Sequence, residues 1–415
     1  MNLRYTLLVV LFAATTTFAQ TEFITVWKTT TNNETITIPT ATPGVVYNYS
    51  VDWGDGMTST NQIGDATHSY ATPGNHTVKI TGTFPRIYFN LLGDITKILE
   101  VKQWGTQAWT SMESAFYGCV NLNITATDTP DLTSVSSLQD MLSLAILTTA
   151  SKIGDWNVSN VTNMSNLFNG SSDFNQDISS WDVSNVTNMS FMFGSTSNFN
   201  QDISLWKVGK VTDMSGMFNF ADVFNQDLST WKVSEVTDMS FMFDNAAAFD
   251  QDLSNWDVSK VTDMSFMFDD VTLSTTNYDS MLDSWSKKVV QNNVIFDAGN
   301  SRYCDLGEAG RTALQTNYGW TFTDGLKDST VNCAALSIEN PQQNTWALYP
   351  NPVESRIYIS GSTAPLRIQV FGIDGKKHKD IQDANSLEVE QLKAGLYMVK
   401  LIGRENTEVF KVIKR

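Results

Sequence analysis

FNQDISSWDVSNVTNMSFMF, Phe174 to Phe193, returns down the chain at an interval of 25 residues. Trp156, Trp181, Trp206, Trp231 and Trp256 keep that spacing without slippage, as do Val161, Val186, Val211, Val236 and Val261. The columns that begin at Met164 and Phe168 hold the same register. A unit this short cannot bury a Trp, a Val, a Met and a Phe by itself. Stacked units can, each adding a rung to a shared core. Looser copies come first: Met112 to Phe116 repeats the Met-x-x-x-Phe step, and VSSLQDML (Val135 to Leu142) matches VTNMSNLF at an offset of 26. The stack is therefore placed at residues 95–330, with regular repeats over about 153–270. Loss of the period after Phe268 predicts a capping region over 271–326.

Within one unit, Ile178-x-x-Trp181-x-Val183 predicts a short strand that turns alternate side chains inward. Ser184 to Met189 then predicts a short helical turn, capped by Ser or Thr, which aligns Val186, Met189 and Phe193 at i, i+3 and i+7. The expected fold class is mainly β with short helices: a leucine-rich-repeat-like solenoid flanked by an N-terminal and a C-terminal β-sandwich domain. The Met and aromatic stripe reads as core rather than a cofactor box, because stacking requires identical placement in every rung.

The repeat resembles the bacterial surface-protein repeat of about 25 residues related to BspA-type leucine-rich-repeat proteins. VIFDAGNSRYCDLGEAGRTALQTNYGWTFTDG, Val294 to Gly325, resembles that family's carboxy-terminal cap. The resemblance implies an extracellular, adhesive or ligand-binding role, names no ligand and brings no catalytic residues with it.

Both flanks differ in composition from the stack. Residues 20–94 are Thr-rich, with alternation such as Glu34-Thr35-Ile36-Thr37-Ile38. VDWGDGMTSTNQIGDATHSYATPGNHTVKIT resembles a PKD-type β-sandwich. Asp52 to Gly56 matches that family's turn, and His68 to Val78 matches H-x-Y-x-x-P-G-x-Y-x-V, with His76 at the usual aromatic position. Asp52, Asp55, His68 and His76 offer metal-ligand chemistry, but Asp-Gly turns between strands arise for conformational reasons alone, and the turn reading is favoured.

The tail, residues 348–415, opens on Leu348-Tyr349-Pro350-Asn351-Pro352 and continues through RIYISG, LRIQVFGIDGK and AGLYMVKLIGRENTEVFKVIKR. It resembles the type A carboxy-terminal sorting domain of the type IX secretion system. That implies the secretion machinery as a partner and a secreted or outer-surface location. Residues 331–347 read as a linker. Residues 1–19 read as a signal peptide: Arg4, the apolar run Leu7 to Ala14, and Thr17-Phe18-Ala19 before Gln20. That run is far short of the ~20 residues a membrane span needs, and no later segment is long and apolar enough for one.

Charge narrows the partners. The chain has 44 acidic and 27 Lys and Arg residues, a net charge of -17. Nucleic acid is a poor partner for such a surface. From Pro350 onwards, 11 basic residues outnumber 8 acidic ones, which marks the tail as a separate module. Three cysteines fit an exported chain that does not depend on disulfides. Cys304 and Cys333 flank one segment and their pairing is open; Cys119 reads as a small buried hydrophobe.

No catalytic constellation is visible: there is no G-x-S-x-G elbow, H-E-x-x-H helix, phosphate loop or dinucleotide fingerprint. Only His68, His76 and His378 exist. No enzyme activity and no cofactor are expected. The alternatives are a glycan-active enzyme with accessory repeats, or a purely structural surface component. Asp177, Asp202, Asp227 and Asp252 form a ladder, each preceded by Gln. Either each carboxylate holds its own turn, which is the favoured reading, or calcium bridges the column. Variation marks the binding surface. The position after Trp runs Asn157, Asp182, Lys207, Lys232, Asp257, and the position before the conserved Val runs Asn160, Asn185, Lys210, Glu235, Lys260. Asp182, Lys207, Lys232, Asp257, Lys210 and Lys260 are the expected contacts for a protein or polysaccharide ligand, because core positions hold still while these change.

Overall fold

The computed structural model describes residues 21–41, 44–148, 152–328, 346–349, 352–360, 366–372, 376–384, 386–403 and 407–415. The signal segment, most of the linker and Cys333 lie outside these residues. The chain divides into two compact units, Met1–Cys333 and Ala334–Arg415.

Rungs of the first unit meet through parallel bridges one repeat apart, Ser137 to Asn163 to Asn188 to Asp213 to Asp238 to Asp263. These bridges fall in the Thr-Asn-Met step, where the sequence predicted a helical turn. Ile178–Val183, where it predicted a strand, forms no ladder. Hydrogen bonding explains the exchange. The N–H groups of Met189, Phe191, Phe193 and Ser195 donate to the carbonyls of Asp213, Ser215, Met217 and Asn219 in the next rung, at 2.6 to 3.0 Å. The alternate N–H groups turn back within the rung, Met192 to Met189 and Gly194 to Phe191, both at 3.1 Å. A helix is excluded because two residues per rung are left-handed: Phe191 and Ser195 at φ 51° and 54°, Phe241 and Asn245 at 56° and 57°. Each such residue swings its N–H out of the coil and towards the neighbouring rung. Gly216 occupies the first of these positions at φ 59°, and a Cβ there would come within 2.3 Å of the Phe191 ring lying over it.

Tryptophan connects the rungs on the side that has no ladder. The indole Nε1 of Trp181, Trp206, Trp231 and Trp256 donates to the carbonyls of Ile153, Ile178, Ile203 and Leu228, one rung back, at 2.8 to 3.2 Å. Trp181 stacks on Trp156 at 6.5 Å and on Trp206 at 6.4 Å between ring centres. Both exceed the ~4.8 Å spacing of paired strands, so the rungs stand further apart here than along the ladder. The phenylalanines fill the centre: Phe218 stacks on Phe224 at 4.0 Å, on Phe193 at 5.7 Å and on Phe243 at 5.5 Å.

The N-terminal strands join this core without a break. β1 (Phe23–Thr29), β3 (Asn48–Asp52), β4 (Thr58–Gln62), β6 (Gly74–Thr83), β7 (Ile98–Gln103) and β8 (Asn123–Ile124) form one sheet in the order β4-β3-β6-β1-β7-β8. β2 (Glu34–Ile38) and β5 (Ala66–Tyr70) form a second, two-stranded sheet. β7 pairs β8 in parallel, the same sense as the bridges between rungs. Phe89 and Leu91 already donate to Ala115 and Tyr117, so stacking begins before residue 95. One buried cluster runs from Phe23 to Trp320.

At the other end, α1 (Thr275–Ser286) and α2 (Asp305–Tyr318) pack with the parallel pair β9 (Ile295–Asp297) and β10 (Thr321–Thr323). α1 buries Tyr278, Met281, Leu282 and Trp285, and the bridge from Met264 to Phe296 fastens the segment to the last rung, as a cap requires. The α2 amino terminus is held by Asp279 of α1, whose Oδ1 accepts the Cys304 N–H at 2.8 Å. Cys304 is disulfide-bonded to a partner outside the described residues, and Cys119 is a free, buried thiol.

In the second unit, β11 (Ala347–Tyr349), β12 (Arg356–Ser360) and β15 (Ser386–Glu388) form one sheet. β13 (Leu366–Gly372), β14 (Lys377–Ala384), β16 (Gly395–Ile402) and β17 (Thr407–Lys414) form another, in the order β14-β13-β16-β17. Alternation places Ile368, Val370, Val399 and Leu401 in a core shared with Ile357, Leu387 and Trp346. The chain as described is mainly β, with two α-helices among the described residues.

Candidate recognition surface

Each of the five regular rungs, from Trp156 to Trp256, carries an alternation of buried Trp, exposed residue and buried Val, although no strand ladder supports it. This places Asp182, Lys207, Lys232 and Asp257 outward in one column, flanked by the exposed Lys210 and Lys260. Lys210 Nζ donates to Asn185 Oδ1 at 2.7 Å, and Lys260 pairs with Glu235 at 2.6 Å. Hydrogen bonds from the Ser184 side chain and N–H hold the Asp182 carboxyl below its ordinary value, helped by Lys207 and Lys210. Lys207 and Lys232 form no ion pair with any described residue. Between them lies an open groove of about 340 Å³ lined by Leu205, Trp206, Lys207, Gly209, Thr230 and Lys232. Sequence reasoning missed Leu205 and Gly209, although both depart from the repeat pattern. A cavity of about 350 Å³ near Thr21, Gly82 and Gln107 is lined by no charged side chain.

The Asp177, Asp202, Asp227 and Asp252 column is also exposed. Each Oδ1 accepts the N–H two residues on, from Ser179, Ser204, Ser229 and Ser254, at 2.8 to 3.0 Å. These are Asx turns repeated rung by rung. The adjacent Gln201, Gln226 and Gln251 donate to Asn175, Asn200 and Asn225 of the preceding rung. Asp202→Ala is expected to cost about 0.5–1 kcal/mol in urea unfolding, the worth of one exposed turn bond. No group of three or more His, Cys, Asp or Glu suited to a metal occurs among the described residues.

The N-terminal quartet is tied into local structure. Asp52 and Asp55 accept the N–H groups of Gly54 and Met57, both at 3.0 Å. His68 lies 2.7 Å from Asp55 and stacks on Trp53. His76 stacks on Tyr70 at 3.5 Å and its Nε2 is 2.8 Å from Thr29 Oγ1. Burial pushes His76 below its ordinary 6.5, with Asp55 opposing the shift. The folded state therefore favours the neutral ring. Its contribution is complete above pH 6.5 and is lost as pH falls through the depressed folded value. Thermal melts between pH 7.5 and 5 should show that loss, and His76→Phe should flatten it.

The comparisons agree with this architecture. No curated protein matches the chain. The family described as "Mycoplasma protein of unknown function, DUF285" matches residues 90–151, 110–222 and 205–305, together more than half of the sequence. A "Secretion system C-terminal sorting domain" matches residues 347–415, which marks the protein for type IX export to the outer cell surface or beyond. The chain thus belongs to the DUF285 repeat family and ends in a type IX secretion sorting domain.

Proposed function

We propose that the protein is a non-enzymatic recognition protein whose stack, a leucine-rich-repeat-type solenoid, binds an extracellular protein or polysaccharide. The PKD-like amino-terminal sandwich and the sandwich of the sorting tail flank that binding body. One observation carries the reading: buried positions repeat almost unchanged, while the exposed column after Trp changes in charge along the stack and borders an open groove at Lys207 and Lys232. A broad face of this kind suits an extended ligand better than an enclosed small molecule. The Asp ladder acts as a set of turn caps in this reading, without calcium. Melting temperature should then be unchanged by a chelator, and a clear drop would put an ion back in the column.

The test is a screen of the full chain on glycan and extracellular-protein arrays, with and without calcium. A saturable hit that is lost on charge reversal at Lys207 and Lys232 is expected. A folded protein with no saturable ligand would leave a structural role in its place, and turnover of a glycan would replace the reading with an enzymatic one.

A further inference from the structure

Four departures from the repeat converge on one groove. Before the tryptophan, neighbouring rungs carry Ser180, Thr230 and Asn255, whereas this rung carries Leu205, 83% exposed. The hydroxyls of Ser180 and Thr230 each donate to a carbonyl one rung back, Gly154 at 2.6 Å and Ser204 at 2.7 Å. Leucine gives up that bond and presents a hydrocarbon surface to water. After the tryptophan, Asn157, Asp182 and Asp257 hold their own turns by accepting the N–H of Ser159, Ser184 and Ser259. Lys207 and Lys232 have no acceptor and cannot make that bond. They also set two positive charges side by side on adjacent rungs, with Asp182 and Asp257 on the rungs outside them.

The fourth departure is Gly209, where other rungs have Ser159, Ser184, Ser234 and Ser259. Its backbone does not require glycine: φ is not in the left-handed range, and a Cβ would meet nothing closer than the Lys232 carbonyl at 4.0 Å. The effect of the glycine is room. Local hydrogen bonding favours the repeat residue at these sites, so what the deviations share is the groove they line.

We propose, resting on the recognition reading above, that this groove binds an acidic polysaccharide of the uronate type. Lys207 and Lys232 would take its carboxylates, and Leu205 would lie against the C–H face of a sugar ring. Charge complementarity selects the anion, since Lys207 and Lys232 lie side by side and neither closes an ion pair with a described residue. An acidic peptide is the less favoured occupant. The groove lies in the middle of the stack with rungs on both sides, so it offers no open strand edge to which a peptide backbone could add.

The experiment measures binding of the full chain to polygalacturonate, to its methyl ester and to polyglutamate, over a range of salt. Saturable binding to polygalacturonate alone, weakening with salt, is expected. A variant that restores the repeat residues, Leu205→Ser, Lys207→Asp, Gly209→Ser and Lys232→Asp, should bind about tenfold more weakly or worse, since it loses charge-assisted contacts. Its melting temperature should stay close to that of the unaltered protein, since the returning turn bonds offset repulsion among the carboxylates then aligned from Asp182 to Asp257. Unchanged affinity in that variant would overturn the placement in the groove. Equal or tighter binding of polyglutamate would overturn the polysaccharide. Absence of polygalacturonate binding, alongside a saturable array ligand, would overturn the acidic class and leave the recognition reading standing; absence of any ligand would remove both.

Discussion

Replacing Phe218 with alanine is expected to lower stability by about 3–5 kcal/mol, the cost of a large cavity in a core that cannot collapse around it. Phe218 is fully buried and touches ring neighbours on both sides, Phe193 in the preceding rung and Phe243 in the next. It also packs on Phe224 and Trp231 of the following unit. A rung contacts only its neighbours, so the damage should spread through the stack rather than stay local. Urea unfolding followed by tryptophan fluorescence would measure it, and a midpoint equal to that of the unaltered protein would refute the role given to this column. Trp206→Phe separates volume from hydrogen bonding. It keeps an aromatic ring in the core but removes the Nε1 donor to Ile178, and should cost about 1–2 kcal/mol for the carbonyl left without that partner.

The second large effect is expected in the cap. Arg311 Nε donates to Asp324 Oδ2 at 2.7 Å, and the Asp324 side chain is only 1% exposed. Tyr278 Oη donates to the same oxygen at 3.0 Å. The guanidinium also lies over the Phe322 ring at 4.7 Å. Arg311→Ala leaves a buried carboxylate without its cation and should cost about 3 kcal/mol, at the low end for a buried pair because Arg311 keeps some solvent. Adding Asp324→Asn should recover part of the loss, since the charge is then gone. If the single variant lost nothing in chemical denaturation, the pair would be no more than a surface contact. Because the cap closes the last rung, hydrogen exchange in Phe243 to Phe268 should rise in the single variant.

Much of this was legible in the sequence, for a definite reason. In a stack each residue type recurs where the same neighbours recur, so a column of Trp, Val, Met or Phe is a direct record of burial. Trp206, Val211, Met214 and Phe218 are all buried as the spacing required. The outward placement of Asp182, Lys207, Lys232 and Asp257 follows from the same record. Local conformation was not recorded in this way. Ile178–Val183 has the apolar spacing of a strand and Ser184–Met189 the signals of a helical start, yet neither forms. Both depend on where the N–H groups go, and two left-handed residues per rung send them to the next rung.

Leu205 and Gly209 show the same division. Each is visible in the sequence as a departure from the repeat, but a departure has no meaning until its neighbours are known. The sequence by itself determined the period, the buried columns, the exposed column and the export tail, because periodicity and motif are one-dimensional properties. Only the tertiary structure decided that the ladder lies at Asn188, that indole N–H groups bind the opposite side, and that Leu205, Lys207, Gly209 and Lys232 share one groove. Those facts depend on hydrogen bonds and distances between residues about one repeat apart, and the chain acquires them only when its rungs stack.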